Sequence, residues 1–282
     1  GGSGGGFSGG LGFAGKGIGL GFFLTNDNTI QGSSIEDAVV HSETEVAGII
    51  GLGVPIKIGA LRLSLGGDLR PFYRVSLHDK GYGDISAGKL LYAMKIAKAD
   101  VTDYLYADSY FGLAADLGAT LELGSVTLGL SIRDIAPSYP VTTTSLRLLE
   151  KALASGEIPD SSSSSEHAVF LPDISAGLSW GPKLIPGTID PVLYIELRDV
   201  LGVIQDWQGI GSALNFFHAG AEIKLWRFIA LRGGFNQGWF SVGAGVKLLF
   251  IDLNAAVFTE GTGSLAYESA RSGIAIQASI RF

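Results

Sequence analysis

The chain of 282 residues contains no cysteine, so it can form neither a disulfide framework nor a thiolate metal site. It also lacks any run of about eighteen apolar residues, the length that a transmembrane helix needs. Charged residues make up only 17% of the chain, and the net charge of −7 disfavours nucleic acid as a partner. These absences argue against a disulfide-stapled domain, a helical membrane protein and a nucleic-acid-binding protein.

The chain is instead rich in glycine and in apolar side chains. Glycine contributes 42 residues, about twice its usual share, and the mean hydropathy is +0.34. High hydropathy without a spanning helix is typical of transmembrane strands, in which only every second residue is apolar. We therefore expect residues 1–282 to form a single domain built from such strands.

An alternation of apolar and polar residues runs through the last third of the chain. In its first segment the apolar members are Phe217, Ala219, Ala221, Ile223 and Leu225, and between them lie His218, Gly220, Glu222 and Lys224. The pattern recurs at 229–236, 240–248, 251–258 and 274–282. Because successive side chains of a strand point to opposite faces, each segment has one apolar face and one small or charged face.

Such strands can form a soluble sandwich with the apolar faces packed inward, or a membrane barrel with the apolar faces turned to lipid. The polar face here is mostly glycine, alanine and serine with isolated charges, whereas a soluble sheet shows threonine, lysine and glutamate to water. The chain also has no second set of elements that could cover the apolar face. We therefore predict an all-β, antiparallel transmembrane β-barrel of about fourteen strands, with short helices in the outer loops.

The first half of the chain predicts strands separated by alternating short and long connections. Polar residues predict a loop at Thr25–Thr44, and longer connections are expected at Ser76–Asp103 and Ala136–Phe170. The strands number about thirteen, and single-chain bacterial barrels use an even number. We therefore expect that at least one N-terminal strand, with anything preceding it, is missing from this sequence.

Two short helices are expected inside the longer connections. Helical spacing of apolar residues predicts one over Asp84–Ala97, with Asp84 as its N-cap. The other is predicted to start at Thr144-Ser145 and to end at Gly156. The serine run Ser161–Ser165 that follows is expected to be mobile.

Motifs for catalysis and cofactors are weak. Gly10–Lys16 matches the phosphate-loop spacing, but Gly17 follows where a serine or threonine is needed to hold magnesium. The four histidines have no metal-ligand spacing. A hydrolase would need a serine within reach of His218, and although Ser212, Ser241 and Ser279 are available, no motif supports them. We expect no enzyme, no cofactor and no metal.

Charged side chains of both signs are predicted on the inward face. They are Arg62, Asp68, Arg70, Asp116, Arg133, Glu196, Arg198, Glu222, Lys224, Arg232 and Lys247, and His218 lies on the same face. A paired network that fills the lumen explains them best, because isolated charges in a narrow interior are costly. The alternative is a polar conduit, or a carboxylate-binding site that uses an arginine fork.

Several segments together resemble the FadL-type long-chain fatty acid transporters of the outer membrane, with their PorV-like and spirochaetal relatives. The matching segments are His218–Glu222, Leu231–Phe235, Ser241–Val246, Val126–Asp134 and the terminal Phe282. The resemblance in sequence motifs covers about the last two-fifths of the chain. In the rest of the chain only the predicted order of strands and loops is similar. At Leu253-Asn254 the chain departs from the aromatic-alanine pair of these relatives.

The resemblance implies a barrel with an N-terminal plug that carries hydrophobic molecules across the bacterial outer membrane. No plug is present in these residues. The resemblance further implies a hydrophobic ligand groove formed by the helices of two outer loops, to which Leu90, Leu91, Met94, Leu146, Leu149 and Leu153 are assigned. The partners expected are membrane lipid and hydrophobic small molecules or fatty acids.

Two other functions remain open. The outer loops of a non-transporting barrel could bind a host or cell-surface partner, as in an adhesin or an assembly platform, and the loop Asp199–Ser212 with its Trp207 permits this. A general diffusion porin is the third possibility, although mixed charges in a barrel of this strand number argue against a wide pore.

Overall fold

A computed structural model describes residues 2–32, 34, 36–79, 85–95, 100–136, 138–155, 162–168, 171–201, 214–261 and 270–280. The fold consists almost entirely of antiparallel strands, which belong to one sheet of sixteen. Within the described residues, no helix is both long enough and apolar enough to cross a membrane.

The strands follow one another along the chain. They are β1 (Gly2–Gly15), β2 (Ile18–Gln31), β3 (Val39–Ile58), β4 (Leu61–Asp79), β5 (Ile85–Ser86), β6 (Leu105–Leu123), β7 (Val126–Ile135), β8 (Tyr139–Ser145), β9 (Ser162–Ala168), β10 (Asp173–Trp180), β11 (Ile189–Leu197), β12 (Phe217–Leu225), β13 (Ile229–Asn236), β14 (Trp239–Leu248), β15 (Ile251–Gly261) and β16 (Ala270–Ile280). The helices are α1 (Ala87–Lys95) and α2 (Leu146–Ser155), with 3-10 turns at Val101–Asp103 and Leu214–Phe216.

The hydrogen-bonded order of the strands is that of a meander. The main path runs β1-β2-β3-β4-β6-β7-β10-β11-β12-β13-β14-β15-β16, thirteen strands in chain order, while β5 pairs with β3 and β8 pairs with β6 and β9. Up-and-down order of this kind is the topology that antiparallel barrels use. The predicted fold class, an all-β antiparallel barrel sheet, is confirmed.

The chain divides into two compact units. The first unit comprises Gly1–Leu52, Asp68–Asp116 and Asp134–Leu171, and the second comprises Gly53–Gly67, Leu117–Arg133 and Pro172–Phe282. Each cavity and ion pair considered below lies within one of these units.

The prediction of a loop over Thr25–Thr44 is wrong. Strand β2 continues to Gln31, β3 begins at Val39, and the two pair residue by residue from Ile18↔Leu52 to Gln31↔Val39. Polar side chains support this pairing, because Asn26 Nδ2 donates to Thr44 Oγ1 over 2.9 Å and Ser42 Oγ donates to Asn28 Oδ1 over 2.7 Å. Polarity signalled a loop, whereas cross-strand hydrogen bonds between those polar groups stabilise a longer hairpin.

The other long connections also contain regular structure. Strand β4 extends to Asp79, and β8, α2 and β9 occupy most of 136–170. The backbone of Ser162–Ser165 is in strand β9, which pairs with β8, whereas Ser161 lies outside the described residues. The expected mobility of the run stays a prediction. Both helices are confirmed with shorter bounds; the expected N-cap Asp84 lies outside the described residues, and Ser86 Oγ accepts from the Lys89 backbone N–H over 3.4 Å.

The two faces of the sheet differ as the alternation predicted. The apolar face (the side chains of the apolar members of each strand) is exposed, with Phe111 67%, Leu128 49%, Val242 64% and Ile276 81% accessible. No large side chain in the described part of the chain is fully buried. A soluble sandwich would pack these side chains inward between two sheets. The structure instead has one sheet with an exposed apolar face, and this argues against the sandwich.

Candidate functional site

A cavity of about 710 Å³ lies within the second unit, against the polar face (the side chains that alternate with the apolar ones) of β3, β4, β6, β7, β10 and β11. Glycine, serine and threonine dominate its polar-face lining, for example Ser64, Thr127, Gly129, Ser131, Ser175 and Gly177, with Tyr194 and Glu196 beside them. Small side chains create this volume, because they project little from the backbone. We call it the main cavity.

Two glycines shape the main cavity in different ways. A Cβ built on Gly129 would meet no atom within 4 Å, so this position opens directly into empty space. A Cβ on Gly220 would lie 2.2 Å from Cζ of Tyr194. Gly220 is therefore required for the ring of Tyr194 to lie flat against strand β12 and to serve as a wall of the cavity.

An ion network occupies the polar face of the first unit. Arg70 forms an ion pair with Asp134, and its guanidinium also lies 3.9 Å from Asp116 and 4.0 Å from Glu45. Arg74 donates from Nε to Glu45 Oε2 over 2.9 Å. Two arginines thus hold several carboxylates, which is the paired arrangement expected for charges in a restricted interior.

An aromatic cluster packs directly beside this network. Phe72 contacts Tyr110 and Tyr139 edge to face, with ring centroids 6.1 and 5.6 Å apart. The guanidinium of Arg74 lies over the rings of Phe72 and Tyr110, 5.7 and 5.9 Å from their centroids. Phe72 and Tyr139 form a buried hydrophobic cluster with Ala47 and Ala114, and Tyr110 packs against it. Because this cluster occupies the polar face, the cavity beside it is small, about 120 Å³.

The end of the second unit that carries the turns 226–228 and 249–250 holds another charged cluster. Glu222 accepts from Arg232 Nε over 2.6 Å and lies 3.0 Å from Lys224 Nζ. Arg232 Nη1 also donates to Asn254 Oδ1 over 2.7 Å. Lys247 lines the same cavity, which measures about 340 Å³. Asn254 therefore supplies a hydrogen-bond acceptor for Arg232.

Three further arginines of the polar face form local ion pairs, and Asp68 does not. Arg62 lies 3.2 Å from Glu122, Arg198 lies 3.4 Å from Glu196, and Arg133 pairs with Asp173. The side chains of Arg62 and Arg198 are about half exposed. Asp68 has a buried Oδ1 without a hydrogen-bond partner.

The predicted ligand groove is only partly described. Leu90, Leu91 and Leu146 are half-buried, whereas Met94 is 54% exposed. The side chains of Leu149 and Leu153 lie outside the described residues. Both helices contact the 3-10 turn Val101–Asp103, and Arg147 of α2 forms an ion pair of 2.6 Å with Asp103. The grouping of these six residues into one groove stays a prediction.

None of the serines considered for a hydrolase is a register partner of His218. His218 pairs in register with Glu196 and Asn236, and neither partner is a nucleophile; Ser212 and the loop with Trp207 lie outside the described residues. His78 Nε2 lies 3.0 Å from Asp108, and Thr143 Oγ1 donates to that same carboxylate over 2.5 Å. The carboxylate of Asp108 therefore contacts both the imidazole of His78 and the hydroxyl of Thr143. The described residues contain no group of three potential metal ligands.

Several residues of these clusters were missed by reasoning from the sequence. Phe72 and Tyr139 lie on the polar face, where the alternation led us to expect small or charged side chains, and Glu45 and Arg74 were assigned no role. A signal was available for Phe72 and Arg74, since both share the strand parity of Arg70, which was predicted to face inward. Tyr139 follows a break between β7 and β8, and no periodicity crosses that break.

Comparison with models of known protein families gives no match for this chain, and comparison with curated proteins gives none either. The class of the protein therefore follows from its fold and its side-chain clusters alone. The protein is an antiparallel β-sheet protein of barrel type, with an exposed apolar face, paired charges on the polar face and a cavity lined by small residues.

Proposed function

We propose that this chain is an outer-membrane β-barrel that takes up hydrophobic molecules, such as long-chain fatty acids, without a covalent step or energy coupling. The observation that carries the proposal is the contrast between the two faces of the sheet. One face exposes large apolar side chains, and the other has paired charges and a cavity of about 710 Å³. This is the reverse of a soluble protein and the arrangement expected when lipid covers the outside.

Aromatic side chains near the ends of the strands support insertion into a membrane. Trp180, Trp226, Phe228 and Phe250 are 45–56% exposed, and they lie at strand ends or in the turns 226–228 and 249–250. The rings of Trp226 and Phe228 stack with centroids 6.1 Å apart. Aromatic residues collect at the two borders of the hydrocarbon region in barrels of this class. These four would mark one such border.

The main cavity suits an apolar chain in passage. Its glycine, serine and threonine lining leaves room and provides few strong hydrogen-bonding partners that an alkyl chain would displace. Each methylene that leaves water contributes roughly 0.8 kcal/mol, so a long chain can bind without a specific polar contact along its length. Weak, distributed contacts also permit release, which passage requires.

Equilibrium titration of the folded full chain in detergent micelles with a fluorescent long-chain fatty acid tests the proposal. We expect saturable binding by the folded chain, no saturable binding by the same chain after heat unfolding, and none of a four-carbon carboxylate. Partitioning that rises linearly with ligand and never saturates, in a chain shown by circular dichroism to be folded, would contradict uptake. The role of the outer loops in binding a surface partner would then become the leading hypothesis.

A further inference from the structure

Tyr194 is the only aromatic residue among the described residues that line the main cavity. Strand register places it in a row that crosses six adjacent strands of the sheet, and the other members of the row are all small. From β7 to β14 the row consists of Thr127, Ser179, Tyr194, Gly220, Gly234 and Ser241. One bulky ring therefore lies between small neighbours on both of its sides.

The ring of Tyr194 lies on the β12 side of this row, above Gly220. A Cβ built on Gly220 would overlap the Cζ, Cε2 and Oη atoms of the ring. We call the space above Gly220 the glycine recess. Ser179, on the other side of Tyr194, lines the main cavity, whereas Gly220 does not. While the ring occupies the glycine recess, the space above Ser179 therefore stays part of the cavity.

No hydrogen bond fixes the ring in the glycine recess. The Tyr194 hydroxyl has no hydrogen-bond partner among the described residues, and the residue is 41% exposed. Residues in strands commonly adopt either of two χ1 rotamers. On the β10 side, the register partner Ser179 and its same-face neighbour Gly177 are both small. The backbone therefore permits a second position of the ring, above Ser179 and inside the main cavity.

We propose that Tyr194 determines the width of the molecule that the main cavity accepts. With the ring in the glycine recess the cavity admits wide apolar molecules, and with the ring above Ser179 it admits narrow ones only. The proposal deepens the proposed function and rests on it, because it takes the main cavity as the passage for apolar molecules. Gly220 touches no ligand in this scheme, and it acts by leaving room for the ring.

Thiol labelling measures the width of the main cavity without any ligand. Because the chain has no cysteine, Gly129→Cys introduces a single thiol at a position that opens into the cavity. The folded full chain with this change is reacted in non-ionic micelles with N-ethylmaleimide, which is small, and with a pyrene maleimide, which is bulky. Both rates are compared with and without Gly220→Ala, which fills the glycine recess. The matched control is Gly233→Ala on the adjacent strand, where a Cβ meets nothing within 4 Å.

We expect Gly220→Ala to slow the bulky maleimide about tenfold, equivalent to about 1.4 kcal/mol of activation free energy, and the small one less than about twofold. The double variant Gly220→Ala/Tyr194→Ala should restore the bulky rate, because the three atoms nearest to the new Cβ all belong to Tyr194. Gly233→Ala should change neither rate.

Three results would overturn this role of Tyr194. The first is a bulky rate that Gly220→Ala leaves unchanged. The second is slow labelling that persists in the double variant, because the sheet rather than the ring would then have changed. The third is a Gly220→Ala chain that fails to fold while the double variant folds, because the ring would then have no second position.

Ligand binding by chains that keep Gly129 reports separately on the proposed function. The probes are a straight-chain polyene fatty acid and a pyrene-labelled fatty acid, both fluorescent. We expect Gly220→Ala to weaken binding of the pyrene-labelled acid about tenfold and of the straight-chain acid less than about twofold. If neither acid bound saturably although the labelling rates changed as expected, the proposed function would fail and the control of width by Tyr194 would stand. Equal weakening of both acids would contradict selection by width.

Discussion

The guanidinium of Arg232 donates from Nη1 to the amide oxygen of Asn254 over 2.7 Å, across the backbone of Gly245 on the strand between them. The same guanidinium holds Glu222 through Nε over 2.6 Å. Side chains from three strands thus meet above one glycine, and a larger residue in the middle strand would separate them.

Gly245→Ala should destabilise the folded chain by about 1 kcal/mol, because the new Cβ breaks the Arg232–Asn254 hydrogen bond. Alanine in place of glycine otherwise stabilises a strand by roughly 0.5–1 kcal/mol through lower unfolded-state entropy. The matched control is Gly233→Ala on the adjacent strand, where a Cβ meets nothing within 4 Å. Urea unfolding of both variants in lipid vesicles measures the difference, and equal stabilities would contradict this role of Gly245.

Tyr139→Phe should destabilise the first unit by about 1–3 kcal/mol. The Tyr139 hydroxyl accepts from the backbone N–H of Leu113 over 2.9 Å and donates to its carbonyl, so phenylalanine leaves both backbone groups without this partner. Tyr73→Phe is the control, since Tyr73 is 47% exposed, and we expect it to change stability by less than about 0.5 kcal/mol. Urea midpoints that coincide for the two variants would show that the hydroxyl contributes nothing.

Gly129→Leu should weaken binding of the fluorescent long-chain fatty acid at least about tenfold, which corresponds to about 1.4 kcal/mol. The leucine fills part of the main cavity, and the free space around a Cβ at Gly129 means that the backbone need not move. Gly233→Leu adds the same side chain at an equally open position on the apolar face, and there we expect unchanged affinity. Loss of binding in both variants would point to a folding defect rather than a blocked cavity.

Leu130→Arg should destabilise the folded chain in lipid vesicles by about 2–4 kcal/mol, the cost of a cation near the middle of a bilayer. Leu130 lies on the apolar face of β7, four residues along the strand from Val126, which pairs with the border residue Trp180, and it is 50% exposed. The control Leu249→Arg changes a residue that is 92% exposed in the turn between β14 and β15, where we expect a cost of about 0–1 kcal/mol. Equally small costs would argue that lipid does not cover the apolar face.

The predicted features that the structure confirms are those governed by the period-two pattern. Phe111, Leu113 and Leu117 were predicted on the apolar face and are 48–67% exposed. Local polarity was a poorer guide, because Asn26 and Asn28 lie in a hairpin rather than a loop. Their side chains bond across the strands, and polarity alone does not distinguish a partnered amide from one that faces water.

The sequence by itself determined the fold class and the face on which each charge lies, because strand geometry sends alternate side chains to opposite faces whatever the neighbouring strand is. It predicted that Glu222 and Arg232 face inward. Only the tertiary structure decided that Arg232 reaches Asn254 on β15 and that Phe72 meets Tyr139. The Arg232–Asn254 contact depends on the register of β13, β14 and β15, and the Phe72–Tyr139 contact depends on where β8 pairs after the break that follows β7. Pairing between segments distant in the chain sets these positions.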